Sequence, residues 1–353
     1  MQRSVPAEIL KSWFGPTANS IVSSIETMPP GFSGADVFRV TDSIGKTFAL
    51  KRYSVGTTID RINSIHRFLS AVYHNDCQLV PRVCPVLNAN DTVVWDGLRG
   101  WELVTWVSGS PIKMTTNHRV LLDGLSKGAA AIANVHRASH SLGIHQQPAA
   151  AVGVRLKRAD EISKLLDQLI CEGRANVFSD SLSAKIDSEL TQSLLTAIDF
   201  LAKRWQSITK SISESLRPFA NMRLSNQHVI RDVHREHIFF DHDGISGVSG
   251  IIDFDAIRVD SPATDLSRWT TSFVSSGIQL SELWNSAFAG YRQEWGLGEH
   301  EESLARHLTL ASAWISLANW VIWVALQRRS FPVEPNRVAA RINECLKTVE
   351  FLE

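Results

Sequence analysis

Cysteine is scarce in this 353-residue chain: Cys77, Cys84, Cys171 and Cys345 lie far apart, with no C-x-x-C pair. That scatter excludes a disulfide framework or a cysteine-built zinc module, and a reduced, cytoplasmic setting is the expectation. An excess of charge of either sign is also missing. Thirty-six basic residues balance 36 acidic ones, so bulk charge gives no reason to expect nucleic acid or an anionic membrane surface. The stretch from Met1 to Gly15 lacks the apolar core of a secretory signal. The sequence has no internal repeat, low-complexity tract or long charged run. One long uncharged segment exists, Leu308 to Leu326, followed by Arg328 and Arg329. Its length would fit a membrane span. Thr309, Ser312, Ser316 and Asn319 interrupt it, however, and the expectation is a buried core helix with no membrane involved.

The length suffices for two lobes around separate cores. The most informative stretch runs from Arg231 through Asp232-Val233-His234-Arg235-Glu236-His237 to Asp241, followed by Gly250-Ile251-Ile252-Asp253-Phe254-Asp255. It reads as a polar loop, a strand over His237 to Phe240, a turn at Asp241 to Gly244 and a second strand near Val248 to Ile252. Such a hairpin brings Asp232 and Asp253 to one polar rim. Two converging carboxylates can orient a hydroxyl and hold a cation that bridges phosphates, which are the needs of phosphoryl transfer.

These residues resemble the catalytic and metal-binding loops of the aminoglycoside phosphotransferase and choline kinase family, which follow H-G-D-x-H-x-x-N and then I-D-[FW]-[GDE]. The resemblance puts Asp232 on the catalytic base, Asp253 on the metal-binding Asp and Asp255 on its acidic neighbour. Asp260-Ser261-Pro262-Ala263-Thr264-Asp265-Leu266 is similar to the family's D-P-x-x-D-L segment, whose second Asp supports the catalytic loop. Two departures stand out. Ile230-Arg231 replaces His-Gly, which makes Arg231 a further catalytic candidate, and His237 replaces the metal-binding Asn. An imidazole ligand would move preference from Mg²⁺ toward Mn²⁺.

Further toward the N-terminus, Pro30-Gly31-Phe32-Ser33-Gly34 precedes a strand, and Thr47 to Tyr53 forms another. The pair is similar to the family's nucleotide-binding hairpin, which implies Ser33 and Gly34 at the phosphates and Lys51 neutralising them. Ile59 to Tyr73 has helical spacing. The family draws from this helix a Glu that pairs with the lysine; here the only acid is Asp60, and Asn63 or His66 occupies the facing position. Leu79 to Leu87, Thr92 to Trp95 and Trp101 to Gly109 read as strands. The last resembles the hinge whose backbone would meet adenine near Thr105 and Trp106.

The remainder reads as helices over Val120 to His140, Val154 to Glu172, Ser181 to Ser215, Leu280 to Trp295, Glu302 to Arg328 and Glu334 to Phe351. A Gly/Asn/Ser stretch should break the second from the third. Ala133-Asn134-Val135-His136 looks like the family's A-x-x-H helix end, with His136 packing behind the catalytic loop. Tryptophans cluster late in the chain, where a helical core is expected and a box for a quaternary ammonium group is conceivable.

The fold these features imply is α+β, a protein-kinase-like pair of lobes with a nucleotide-binding lobe over residues 1–106 and a helical catalytic lobe over residues 107–353. The implied activity is ATP-dependent transfer to a small-molecule hydroxyl acceptor, with Mg²⁺ or Mn²⁺ on His237, Asp253 and Asp255. Two alternatives stay open: a catalytically weakened, nucleotide-binding version of the fold, and a zinc hydrolase chelating metal through Asp232, His234 and His237.

Overall fold

A computed structural model describes residues 4–241 and 247–353. Of the expected hairpin turn, only Asp241 falls within them. The chain opens with helices α1 (Ala7–Phe14) and α2 (Ala18–Ile21), then strands β1 (Val22–Thr27), β2 (Asp36–Asp42) and β3 (Thr47–Arg52). Helix α3 (Ile59–His74) follows, started by the Thr58 side chain accepting from the Arg61 amide. Strands β4 (Val93–Trp95) and β5 (Gly100–Thr105) complete an antiparallel five-stranded sheet in the order β1-β2-β3-β5-β4.

Strand alternation gives this sheet two different faces. Phe38, Val40, Phe48, Leu50, Trp101 and Leu103 point one way and bury Ile9, Leu10 and Trp13 of α1. Val37, Ala49, Lys51, Glu102 and Val104 point the other way and line a cavity. One register therefore fixes both a core and a site. The segment from Leu79 to Leu87, expected as a strand, contributes only a single bridge between Val83 and Val104. Pro81 and Pro85 interrupt it, because proline has no amide to donate to a ladder.

Past Thr105 come β6 (Ser110–Pro111), α4 (His118–Ala138), β7 (His145–Gln147), α5 (Ala150–Gln168), α6 (Arg174–Leu182) and α7 (Ser188–Leu216). The expected break near Gly173 does not occur. Leu169–Gly173 continues α5 into α6 as a π-helical turn. The interruption falls later, before Asp187, whose side chain accepts from the Leu190 amide and starts α7. Strands β8 (Leu224–Val229), β9 (Ile238–Phe240), β10 (Val248–Ile251) and β11 (Arg258–Asp260) follow. They form two small sheets, β10-β9-β6 and β11-β8-β7. Helices α8 (Ala263–Thr271), α9 (Leu280–Glu294), α10 (Glu299–Val321) and α11 (Pro335–Leu352) close the lobe.

The apolar helix Glu299–Leu326 is long enough to cross a membrane, but two thirds of its most apolar window is buried inside the molecule. Trp314 and Leu317 are fully enclosed. It is the central helix of the larger core.

Close approach of α4 and α9 depends on Gly290, where an added Cβ would lie 2.1 Å from the Ser126 carbonyl oxygen. Gly290→Ala should cost about 1–3 kcal/mol because backbone rather than a flexible side chain must move. Gly296→Ala, with nothing within 4 Å, should change stability by less than about 0.5 kcal/mol. Denaturant unfolding of the two variants measures both.

Candidate functional site

The loop before β9 is held by one carboxylate. Asp265, fully buried at the start of α8, accepts hydrogen bonds from the amides of Ile230 (2.7 Å) and Arg231 (2.6 Å). His136 Nε2 donates to the same carboxylate at 2.9 Å, and His136 Nδ1 meets the Tyr291 hydroxyl at 2.8 Å. His136 thus packs behind the loop, as its A-x-x-H setting implied. Arg231 has φ +69 and Asp253 φ +63. Non-glycine residues pay a conformational penalty in this region and hold it only where surrounding bonds overdetermine the backbone. At Arg231 the two Asp265 bonds do so, in a position where a glycine would fit without strain.

The loop presents Asp232, whose Oδ1 accepts from Arg268 Nε (3.2 Å) and Nη2 (3.0 Å). Burial works to raise the Asp232 carboxyl, but the Arg268 guanidinium outweighs it and holds it below its ordinary range. With Arg268 on Oδ1, Oδ2 is the oxygen available to a hydroxyl. His237 Nδ1 donates to the Asp232 carbonyl at 2.7 Å, which aims Nε2 at Asp253 Oδ2, 3.6 Å away. A nitrogen lone pair facing a carboxylate repels it unless a proton or cation lies between. Two ligands bound at about 2.1 Å to one cation sit roughly 3–4 Å apart, so this spacing fits a metal.

Ligand atoms of Asp232, His234 and His237 also lie within 4.8 Å of one another. The His234 and His237 rings are 3.8 Å apart between centroids. Burial, with His237 and Arg268 alongside, pushes His234 far below its usual range and keeps it a neutral imidazole.

Lys51 occupies the second half of the site. Its Nζ lies 2.6 Å from Asp255 Oδ1 and 4.7 Å from the centre of the Tyr53 ring. Burial opposes its charge, yet Asp255, Asp253 and Glu102 more than compensate, so Lys51 stays cationic. Asp255 is therefore engaged with the lysine rather than gathered with His237 and Asp253. Its own carboxyl is raised, by burial first and by the neighbouring Asp253, against the pull of Lys51.

Helix α3 supplies no carboxylate to Lys51, but the adjacent strand does. Glu102 of β5 lies opposite Lys51 in the ladder and is buried. It accepts from Tyr53 (2.8 Å) and from His66 Nε2 (2.6 Å), and His66 Nδ1 meets Thr92 Oγ1 at 2.6 Å. Burial tends to raise the Glu102 carboxyl; the bond from His66, the charge of Lys51 and the bond from Tyr53 together hold it below normal. His66 does face the site, as a partner for this acid. Arg61, also on α3, donates to the carbonyls of Asp255 (2.5 Å) and Ile257 (2.8 Å) and ties the helix to the second loop.

Two cavities meet here. One of about 400 Å³ is lined by Gly31, Ser33, Lys51, Glu102, Thr105, Trp106 and Asp253. The other, about 950 Å³, is lined by Gly31, Ser33, Asp232, His237, Asp253, Trp320 and Arg341. Gly31, Ser33 and Asp253 belong to both. Gly34 makes the turn at φ +77 and is not on either wall, and neither is Arg231. The amides of Thr105 and Trp106 are engaged with the carbonyls of Arg82 (2.9 Å) and Thr47 (3.3 Å), so Val107, also on the wall, is the next amide along the hinge that an adenine could reach.

Glu102 and Arg268 were not singled out in the sequence. The signal for Glu102 was present: one acid within the apolar strand Trp101-Glu102-Leu103-Val104. Arg268 had only its place one turn after Asp265 on the same helix.

The phosphotransferase enzyme family model matches residues 24–303. Among solved structures, an aminoglycoside phosphotransferase from Alicyclobacillus acidocaldarius superposes with a TM-score of 0.59 at 15% identity, covering 100% of this chain and 96% of that one. A spectinomycin phosphotransferase bound to ADP and spectinomycin gives 0.61 at 12% identity, covering 98% and 97%. A microcompartment-associated aminopropanol kinase gives 0.60 at 15%, covering 97% and 94%. No curated protein matches the sequence.

Glu102→Gln keeps the side-chain shape and removes the charge, leaving Lys51 and His66 short of a buried anion. We expect a loss of about 3 kcal/mol near neutral pH. Because the folded-state value is depressed, this contribution is complete above the unfolded value of about 4.3 and vanishes as pH falls through the lower folded value. The gap between wild type and variant should therefore close in acid, as urea unfolding at about pH 7, 5 and 3 would measure. A gap unchanged down to the lowest pH would mean that Glu102 carries no charge in the folded protein.

Proposed function

We propose a function from one premise: the chain belongs to the phosphotransferase enzyme family. On that premise the protein moves the γ-phosphoryl group of ATP to a hydroxyl of a small molecule. The observation that carries this reading is the junction of two cavities at Ser33 and Asp253, with Lys51 on one side and Asp232 on the other. The fold is shared with a spectinomycin phosphotransferase that holds ADP and its acceptor together and with an amicoumacin kinase holding AMP-PNP and Ca²⁺.

ATP lies in the smaller cavity between lobes 1–106 and 107–353, its base against Val104 to Val107 and its phosphates reaching Ser33 and Lys51. The acceptor enters the larger cavity and places its hydroxyl on Asp232 Oδ2. Its oxygen bonds to the γ-phosphorus as the bond from that phosphorus to the bridging oxygen of ADP breaks, and the hydroxyl proton passes to Asp232. Arg268 keeps this carboxylate in place and ionised until the transfer. A divalent cation held by His237 and Asp253 would neutralise charge on the transferring phosphates. Asp255 positions Lys51, and Glu102 supplies the second anion that the helix does not.

Asp253→Ala should abolish metal-dependent ATP binding in calorimetry. Asp232→Asn should preserve that binding and lower kcat by about 10²–10⁴. If His237 ligates the metal, Mn²⁺ should support activity at least as well as Mg²⁺ at equal concentration, and a preference for Mg²⁺ of about tenfold would remove His237 from the ligand set. Stoichiometric zinc in the purified protein, with no ATP binding, would favour hydrolysis through Asp232, His234 and His237, whose ligand atoms are already gathered.

A further inference from the structure

The wall of the larger cavity carries charge that phosphoryl transfer alone does not require. The chain as a whole is balanced, 36 against 36, but this wall is not. Among its described residues five cations, Arg235, Arg268, Arg337, Arg341 and Lys347, meet four acids; with Arg268 paired to Asp232 and Asp253 given to the metal, four cations remain against Glu236 and Glu344. Three of the five come from α11, where Arg337, Arg341, Glu344 and Lys347 recur at helical spacing along one face. Glu344 pairs with Arg341 at 2.5 Å, and Arg337 and Lys347 leave the face with two further cations.

A second observation concerns the aromatic residues of the same wall. Phe32 and Trp320 meet edge to face with centroids 5.0 Å apart, and Trp320 and Trp323 do so at 5.4 Å. Such a group could hold a quaternary ammonium or an amino sugar only through free ring faces. Here Arg337 lies 5.6 Å from the centre of Phe32, and Arg329 lies 5.5 Å from that of Trp323. The protein's own guanidinium groups thus take up cation-binding positions, and a cationic ligand would meet repulsion as well as competition.

A third feature adjoins the wall. A recess of about 50 Å³ between α8, α10 and α11 is lined by Arg235, Arg268 and Arg341, by the acids Glu236 and Glu344, and by Ser and Thr hydroxyls. Its guanidinium groups outnumber its carboxylates, and its size suits roughly one or two waters or a small polar group.

We propose that the acceptor is an anionic hydroxyl compound, a hydroxy acid or sugar acid, whose carboxylate is held by Arg341 and its α11 neighbours. The inference rests on the phosphotransferase reading and adds the substrate class to it. Arginine forks match carboxylates in two-point geometry, and the uncharged part of the acceptor lies against Trp320. The basic wall also offsets the repulsion between an anionic acceptor and the phosphates of ATP, which a neutral or acidic wall would leave uncompensated.

The test uses acceptors of similar skeleton and different charge: glucosamine, glucose and glucuronate as pyranoses, and aminopropanol, propanediol and lactate as three-carbon compounds, extended with aldonic acids and short hydroxy acids. ADP formation is followed with ATP and Mg²⁺ or Mn²⁺, and AMP-PNP binding in the presence of metal is measured separately. The expected result is ADP formation accelerated at least about tenfold by anionic members alone, with Arg341→Gln raising the KM of the best of them about tenfold or more and leaving the KM of ATP unchanged. Lys347→Ala, at an exposed position where folding is not at stake, should raise the same KM by a smaller factor. Acceleration by a cationic member, acceleration by an anion that neither variant alters, or no acceleration by any anion while AMP-PNP binds would each overturn the proposal. Failure of AMP-PNP to bind with either metal would instead overturn the phosphotransferase reading itself, and this inference with it.

Discussion

The carboxylate of Asp265 is the constraint on which the site depends. It is fully buried, receives two loop amides and a histidine, and belongs to a helix that packs into the largest core. A buried anion is costly unless hydrogen-bonded, and here the donors that stabilise it are the backbone groups that must be fixed. The same four-way junction therefore neutralises a cost and holds Arg231 in its left-handed conformation. Asp232 and His237 inherit their positions from it. Arg268, one helical turn beyond Asp265, then reaches back to Asp232, so α8 both anchors the loop and sets the charge state of the side chain that the loop presents.

The lysine on β3 shows how one electrostatic need can be met from a different element. A buried ammonium needs nearby anions, and the facing helix brings His66 and Arg61 instead, while Asn63 is exposed. Strand register solves the problem, because Lys51 and Glu102 are directly opposed across β3 and β5. His66 then turns from a missing acid into a donor that holds the substitute acid in place. The absence of a glutamate on α3, taken alone, argues for a weakened enzyme. The ladder shows a complete charge arrangement built another way.

The two cavities differ in character for reasons traceable to their walls. The smaller one is walled by the alternate face of a sheet whose other side is filled by aromatic packing. The larger one lies between the loop carrying Asp232 and helices α8, α10 and α11, which contribute most of its arginines and Trp320. Its lining comes from segments as distant in sequence as Gly31 and Lys347, and no local pattern could have assembled it.

By itself the sequence determined the periodic and the punctuated features. The spacing of apolar residues gave the α+β architecture, most of the helices and the strands that carry Lys51 and Phe239. Asp232, Asp253, Asp265, His136 and Lys51 stood out because the motifs around them, in their order along the chain, resemble those of the family. Errors fell where local signals compete: prolines removed an expected strand near Val83, and Gly173 passed through a π-turn instead of ending a helix. Only the tertiary structure decided the pairings between distant segments. Asp255 goes to Lys51 rather than to His237, Glu102 lies opposite Lys51 on the neighbouring strand, Arg268 closes on Asp232, and Arg337 lies over Phe32. Each depends on distances between elements far apart in the chain, and those distances are set by core packing and sheet register, not by the spacing of residues along it.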